Sequence, residues 1–217
     1  MESLGVRVRD VCFVHWPVDP GVLATRLPYA LSAATRQGTP WVSMVATRIQ
    51  PLAGPVALPG AFAQVALRTY VLADDEPAVY VLRVDTDSRL AALGARRLLG
   101  VTARRVDANV ATGDGEAQVR THAPDGRPLY DATFDRTGSS EPVDPDSLVG
   151  WLTDRSTYAL DDGRNGRVVH DGWRLDEASL NARADHLLAS EGLPRPTADP
   201  VVRYSPGTDV SLVEWPS

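Results

Sequence analysis

Phe62–Thr86 reads FAQVALRTYVL, then ADDEP, then AVYVLRVDT. Two runs rich in β-branched and aromatic residues flank a polar turn, the signature of a β-hairpin. On a strand successive side chains face opposite sides. Gln64, Ala66, Arg68 and Tyr70 therefore share one face, and Val65, Leu67, Thr69 and Val71 share the other. The second face is apolar and reads as sheet core. The first carries an amide, a guanidinium and a phenol in a row. Such a row is either a solvated surface or the polar lining of a cavity.

Composition bounds the rest. The 217 residues are 43% hydrophobic and 23% charged, enough to bury a sizeable core in one globular domain spanning 1–217. No apolar run approaches the ~20 residues of a membrane span. The opening MESLGVRVRD lacks the apolar stretch of a signal peptide. With one cysteine, Cys12, there is no framework for an intrachain disulfide. A cytoplasmic, reduced setting is the expectation. All 22 basic residues are arginine, against 28 acids, for a net charge of −6. An acidic, lysine-free surface suits high salt, and a GC-rich genome would give the same bias. The negative balance argues against a general nucleic-acid binder.

Along the chain, Val6–Val14 reads as a strand that His15-Trp16-Pro17 breaks. Asp19-Pro20 caps a short helix to about Arg26. Trp41–Ile49 reads as a strand, and Gln50–Gly60, with three prolines, as a loop over a cavity mouth. After the central hairpin, Asp87 or Ser88 caps a helix to about Leu99. Leu90, Leu93, Arg97 and Leu98 lie at helical spacing, and Gly100 stands at C′. Arg104–Thr112, Glu116–His122 and Leu129–Arg136 form an antiparallel meander with glycine-containing turns. Asp146–Thr153 reads as a short helix, Thr157–Leu160 with Arg167–His170 as a hairpin, and Asp176–Ser190 as an amphipathic helix. Val201–Tyr204 and Val210–Trp215 are the last two strands, separated by a Ser205-Pro206-Gly207 turn. Many strands with few helices predict an α+β fold on a strongly bent antiparallel sheet or closed barrel around an internal pocket.

Several separated stretches together carry a resemblance. They are Leu67-Arg68-Thr69-Tyr70-Val71, Gly94-Ala95-Arg96, Trp151-Leu152-Thr153-Asp154-Arg155, His170-Asp171-Gly172-Trp173 and Tyr204–Val210, with His15-Trp16-Pro17-Val18 and Trp41-Val42-Ser43. Their order and spacing resemble the YqjF-like uncharacterised proteins. The resemblance implies an acetoacetate-decarboxylase-like fold, with a bent barrel around a pocket. In that family the strand carrying Arg68 usually begins with Glu and has Asn before the Val-Arg pair. Here Gln64 and Ala66 stand at those places, and Thr102-Ala103 stands where the family often has Pro-Tyr. Gln64 can hydrogen-bond a ligand but cannot act as a general acid or base.

The namesake enzyme of the fold forms a Schiff base on a lysine. That chemistry needs a primary amine, and this chain offers no lysine; only the α-amino group of Met1 remains. The positive candidates are these. Arg68 presents a fork for a carboxylate, with Tyr70, Gln64, Arg155 and Trp173 as further ligand contacts. Alternatively, Arg68 pairs across the hairpin with Asp85 or Asp87. His170 and Asp85 are the candidate proton carriers. The four histidines have no metal-ligand spacing, so neither a metal nor a cofactor is expected. Two functions follow as expectations. One is a binding protein for a small apolar or keto acid; the other is a lysine-independent lyase, decarboxylase or hydratase. A homo-oligomer assembled through edge strands and Trp215 is a third reading.

Overall fold

The structure, a computed structural model, describes residues 4–53, 60–73, 75–98 and 100–214. In chain order the elements are β1 (Leu4–Pro17), α1 (Pro20–Ala24), β2 (Ser32–Ala33), β3 (Thr35–Arg36), β4 (Thr39–Ala53), β5 (Phe62–Ala73) and β6 (Glu76–Thr86). Then come α2 (Arg89–Leu98), β7 (Ala103–Arg105), β8 (Asp107–Gly113), β9 (Glu116–His122), β10 (Pro128–Arg136), β11 (Glu141–Pro142) and α3 (Leu148–Thr153). The chain ends with β12 (Thr157–Ala159), β13 (Asn165–His170), β14 (Arg174–Asp185), α4 (Leu187–Ser190) and β15 (Val201–Glu214).

Seven strands, in the order β1-β4-β5-β6-β12-β13-β15, form a barrel that closes because β15 pairs back onto β1. Closure leaves no edge on that cylinder. Most pairings are antiparallel, but β12 and β7 each run parallel to β6. The central hairpin is present as read, with Arg68 on β5 opposite Ser43 of β4 and Val81 of β6. The strands β8, β9, β10 and β14 pack against the outside of the barrel. Between these two layers sits the largest apolar core. It joins Val14, Met44, Val65 and Leu67 on the barrel's outer face to Val110, Val119, Ala132 and Phe134.

Bulges decide which side chains turn inward. A bulge adds one residue to one strand and reverses its alternation beyond that point. On β6 the pairing jumps from Arg68↔Val81 to Leu67↔Arg83, so Leu82 is the extra residue. Before it Val79 and Val81 face the barrel interior; after it Val84 does. Arg83 and Asp85 are thereby turned outward. On β1 the register shifts between Arg9 and Cys12, where Asp10 takes φ 54°. Val6 and Val8 face inward before it, and Val11 and Phe13 join the same cluster after it. Gly207 on β15 sits against this bulge at φ 119°, and a Cβ there would lie 2.0 Å from the Val8 carbonyl oxygen. Only glycine fits.

Several elements differ from their reading in sequence. β1 does not break at His15; its ladder to β4 runs on through Pro17↔Trp41. Asp176–Ser190 is not one helix. Residues up to Asp185 are strand, paired with β10 from Ala178↔Arg136 to Tyr130↔Asp185. The Ala178 and Ala182 spacing of four fits a period of two as well as 3.6, and strand pairing decides it. Ser205-Pro206-Gly207 lies within one continuous β15, whose register with β1 is unbroken from Arg9↔Gly207 to Val11↔Ser205, and is not a turn. Helix α2 turns Ala91, Ala92 and Ala95 inward, while Leu90 and Leu93 are 48% and 37% exposed. Ser88, not Asp87, caps it, accepting from the Ala91 N–H at 3.2 Å. Gln50–Ala53, read as the start of a loop, continue strand β4; residues 54–59 of that loop, and Trp215, lie outside the described set.

The outward turn of Arg83 and Asp85 creates a buried charge cluster. Arg83 Nη2 lies 2.9 Å from Asp85 Oδ2, close but poorly aligned for a hydrogen bond. Arg104 Nε lies 3.3 Å from Asp85 Oδ1, and Arg83 Nη1 lies 2.9 Å from Glu191 beside a contact to Ser190. The cluster ties β6 and β7 to the end of α4. Removing one partner strands the other charge in the interior. Asp85→Ala is therefore expected to lower unfolding stability by about 3–5 kcal/mol, measured by urea titration. A loss below ~1 kcal/mol would mean that Arg83 is hydrated or paired elsewhere.

Candidate functional site

The barrel encloses a cavity of about 350 Å³. Each of the seven barrel strands contributes to its wall, and α2 covers one side with Ala91, Gly94 and Ala95. The wall is chiefly aliphatic: Val6, Val8, Ile49, Val79, Val81, Val84, Val168, Val210 and Leu212. Into it project Gln64, Arg68, Arg155, Thr157 and Tyr158. An apolar cavity with a few convergent polar groups is the usual form of a small-molecule site.

Arg68 is the centre of the polar end. It lies in a row of three across adjacent strands, His15↔Ser43↔Arg68. Its Nε donates to Ser43 Oγ at 3.4 Å and its Nη2 to the Leu152 carbonyl at 3.5 Å, both long contacts. Its Cζ stands 5.8 Å from the centre of the Phe13 ring, within cation–π range. Among the described residues it has no carboxylate partner. The alternative pairing with Asp85 or Asp87 does not form. Asp85 is on the opposite face of β6, engaged with Arg83, and Asp87 accepts from the Ala63 N–H at 3.0 Å.

Arg155 follows α3 and is the second cation of the lining. Its Nε donates to the Trp151 carbonyl at 2.7 Å, and its guanidinium stands 5.0 Å from the Trp151 ring centre. Burial lowers its pKa from the usual arginine value; Tyr70 and Asp154 act against that. Guanidinium is so basic that it stays charged. Gln64 also lines the cavity.

Tyr70 supports the site from behind. It is fully buried, and its hydroxyl donates to the Leu152 carbonyl at 2.5 Å. The same oxygen lies 3.3 Å from His15 Nδ1. A phenol has one proton to give, so His15 must donate here through Nδ1–H. That leaves Nε2 as an unprotonated acceptor, and it is buried without a partner. The tautomer follows from the bond network. Burial pushes His15 well below the usual histidine range, and the positive charges of Arg68 and Arg203 add to this. Burial raises Tyr70.

His170 and Trp173 stand in a layer beyond Phe13. The Trp173 ring packs edge-on to Phe13 at 5.2 Å and tilted to His170 at 5.2 Å. His170 Nδ1 accepts from the Gly172 N–H at 3.1 Å, and Nε2 lies 3.4 Å from Asp154. Burial lowers its pKa, with Asp154 and Asp171 opposing. Neither residue is part of the cavity wall. The sequence-predicted set thus divides. Arg68, Gln64 and Arg155 come together; Tyr70, His170 and Trp173 lie behind them; Asp85 belongs elsewhere.

Sequence reasoning missed His15, Ser43, Thr157 and Tyr158. His15 was hidden by the β1 bulge, which alternation from Val6 cannot anticipate. Tyr158 had one signal, the Tyr158↔Gly166 pair. A Cβ on Gly166 would lie 2.4 Å from the Tyr158 ring, so the glycine makes room for the phenol. Burial pushes the Tyr158 hydroxyl up to about 12.

Solved structures with the same architecture include acetoacetate decarboxylase from Legionella pneumophila. It is 14% identical with TM-score 0.70, over 98% of this chain and 86% of that one. The enduracididine biosynthesis enzyme MppR, complexed with the condensation product of pyruvate and imidazole 4-carboxaldehyde, is 14% identical with TM-score 0.72, over 96% and 87%. An acetoacetate decarboxylase-like enzyme from Sphingomonas wittichii RW1 is 16% identical with TM-score 0.65, over 98% and 92%. The barrel therefore has the acetoacetate-decarboxylase-like fold. In sequence, residues 6–209 match the DUF2071 family, described as an uncharacterized conserved protein. The uncharacterized protein YqjF of Bacillus subtilis (strain 168) is 31% identical over 218 residues, 95% of this chain and 88% of that one. The chain belongs to the DUF2071 family, and the resemblance to YqjF-like proteins read from its motifs holds.

The buried imidazoles give a pH signature. In the unfolded chain each histidine takes up a proton near pH ~6.5. In the native state His15 and His170 resist protonation until lower pH. Below about pH 6.5 the unfolded chain therefore binds more protons, and stability falls as pH falls, by up to ~1.4 kcal/mol per pH unit for each histidine. His15→Asn, which keeps a donor near Nδ1, is expected to flatten this slope between about pH 6.5 and 5 and leave it unchanged above pH ~7. Urea titrations across pH measure it. An unchanged slope would mean that His15 is protonated in the native protein.

Proposed function

We propose that this protein binds a small apolar or keto acid inside the barrel, its carboxylate on Arg68 and Arg155 and its apolar part along the aliphatic wall. One observation carries the reading: a guanidinium enters an apolar cavity held by long contacts to neutral oxygens, with no carboxylate partner among the described residues. Desolvating a cation without a counter-charge is unfavourable, and a ligand carboxylate supplies that charge through short, bidentate bonds. The keto-acid class gains support from the fold relatives, one of which is named for acetoacetate and another of which holds a pyruvate condensation product.

Binding is favoured over catalysis by what the wall lacks. A lysine-independent lyase, decarboxylase or hydratase needs a proton carrier beside the substrate. Among the described lining residues there is no carboxylate and no imidazole, and burial pushes the phenol of Tyr158 up to about 12, far from neutral pH. Schiff-base chemistry is closed to the side chains of this chain, which has no lysine. Borohydride reduction in the presence of pyruvate or acetoacetate is expected to leave every side chain unmodified by mass spectrometry.

Calorimetric titration tests the binding mode. Arg68→Gln is expected to weaken carboxylates by about 10- to 150-fold, the worth of ~1.5–3 kcal/mol for a hydrogen bond to a charged group. Alcohols of the same carbon skeleton should be unaffected. Equal affinity for acid and alcohol in the unaltered protein would overturn the proposal.

A further inference from the structure

Resting on the binding of an acid at Arg68, we infer that the ligand is a medium-chain aliphatic monocarboxylate whose tail reaches α2, and that Gly94 sets the chain length. Glycine inside a helix is unfavourable relative to alanine, so it calls for a reason. In the other helices the reason is visible. A Cβ on Gly150 of α3 would lie 2.2 Å from the Asp144 carbonyl oxygen, and one on Gly21 of α1 would lie 3.1 Å from Asp19. At Gly94 a Cβ would meet nothing within 4 Å, and the backbone needs no positive φ. Neither packing nor conformation requires glycine there. The space that it leaves belongs to the cavity, whose wall it forms with Ala91 and Ala95.

This small-residue face begins beside Ala66, two residues along β5 from Arg68, and extends toward Phe62. Along β5 the inward side chains run Phe62, Gln64, Ala66, Arg68. Ala91 packs in the cluster of Phe62, and Ala92 and Ala95 pack in that of Ala66. Phe62 and Arg68 are about 20 Å apart at ~3.3 Å per strand residue. A three- or four-carbon keto acid held at Arg68 would leave the α2 end empty. The 350 Å³ of the cavity is the liquid share of roughly a dozen waters. An apolar cavity of about 150 Å³ takes a six-carbon ring such as benzene, so this one has room for a chain well beyond four carbons. The wall between the two ends is chiefly aliphatic, which suits methylenes, with Gln64 the polar side chain of β5 between Phe62 and Ala66.

The test is a homologous series by titration calorimetry: butanoate, hexanoate, octanoate and decanoate, with 1-butanol and 1-octanol as neutral controls. Affinity is expected to rise about fourfold per added methylene until the cavity is full, the equivalent of ~0.8 kcal/mol each. Gly94→Leu is expected to leave butanoate unchanged and weaken octanoate by about tenfold or more. If that variant does not melt cooperatively, Gly94→Ala, which is sterically free, should weaken the longest bound acid by about fourfold. The inference falls if butanoate binds better than 1-butanol yet octanoate binds no better than butanoate; the Arg68 site would then stand alone. It also falls if Gly94→Leu weakens every acid equally. If no acid binds better than its alcohol, the Arg68 reading fails first and takes this one with it.

Discussion

In a closed barrel every residue faces either the interior or the outer layer, and one extra residue reverses the choice for all that follow. This constraint decides the chemistry of the protein more than any single contact. On β6, strict alternation from Val79 and Val81 would bring Arg83 and Asp85 into the cavity. The bulge at Leu82 sends them outward and brings Val84 in. On β1, the bulge at Asp10 turns Phe13 and His15 to the face of Arg68, with His15 in the row that contains Ser43 and Arg68. The interior is left aliphatic, with a cationic end. The outward charges form their own cluster against β7 and α4.

At the cationic end the groups that hold the Arg68 fork are neutral. Ser43 and the Leu152 carbonyl hold its fork without neutralising it. Tyr70 fixes that carbonyl from behind, and His15 fixes Tyr70. An imidazole so deep, beside two guanidinium groups, stays unprotonated. Among the described residues Arg68 has no carboxylate partner to compete with an incoming anion. The same fold carries enzymes elsewhere, but a fold does not fix a reaction. Here the absence of lysine in the sequence removes the side-chain amine on which the Schiff-base reaction depends.

Much of this was legible in the sequence because the β5–β6 hairpin alternates cleanly. Arg68, Gln64 and the apolar opposite face could be placed from a period of two alone. The meander from β8 to β10 was readable for the same reason, with glycine turns marking its ends. What was not legible turned on non-local pairing. Neither Asp10 nor Leu82 carries a sequence mark of a bulge, so the burial of His15 and the outward turn of Asp85 were hidden. The strand at Arg174–Asp185 looked helical because its alanine spacing satisfies both periods; only its pairing with β10 decides. Helix α2 was placed correctly but rotated wrongly, since its leucines suggested a buried stripe and its alanines and Gly94 take that role.

The most direct measurement is a crystal structure of the protein grown with octanoate. The account predicts density inside the barrel, with the carboxylate within hydrogen-bonding distance of the Arg68 guanidinium and the tail running along Ala66 toward Ala91 and Gly94. Octanoate lying outside the barrel, or with its carboxylate at the α2 end and its tail against Arg68, would contradict it.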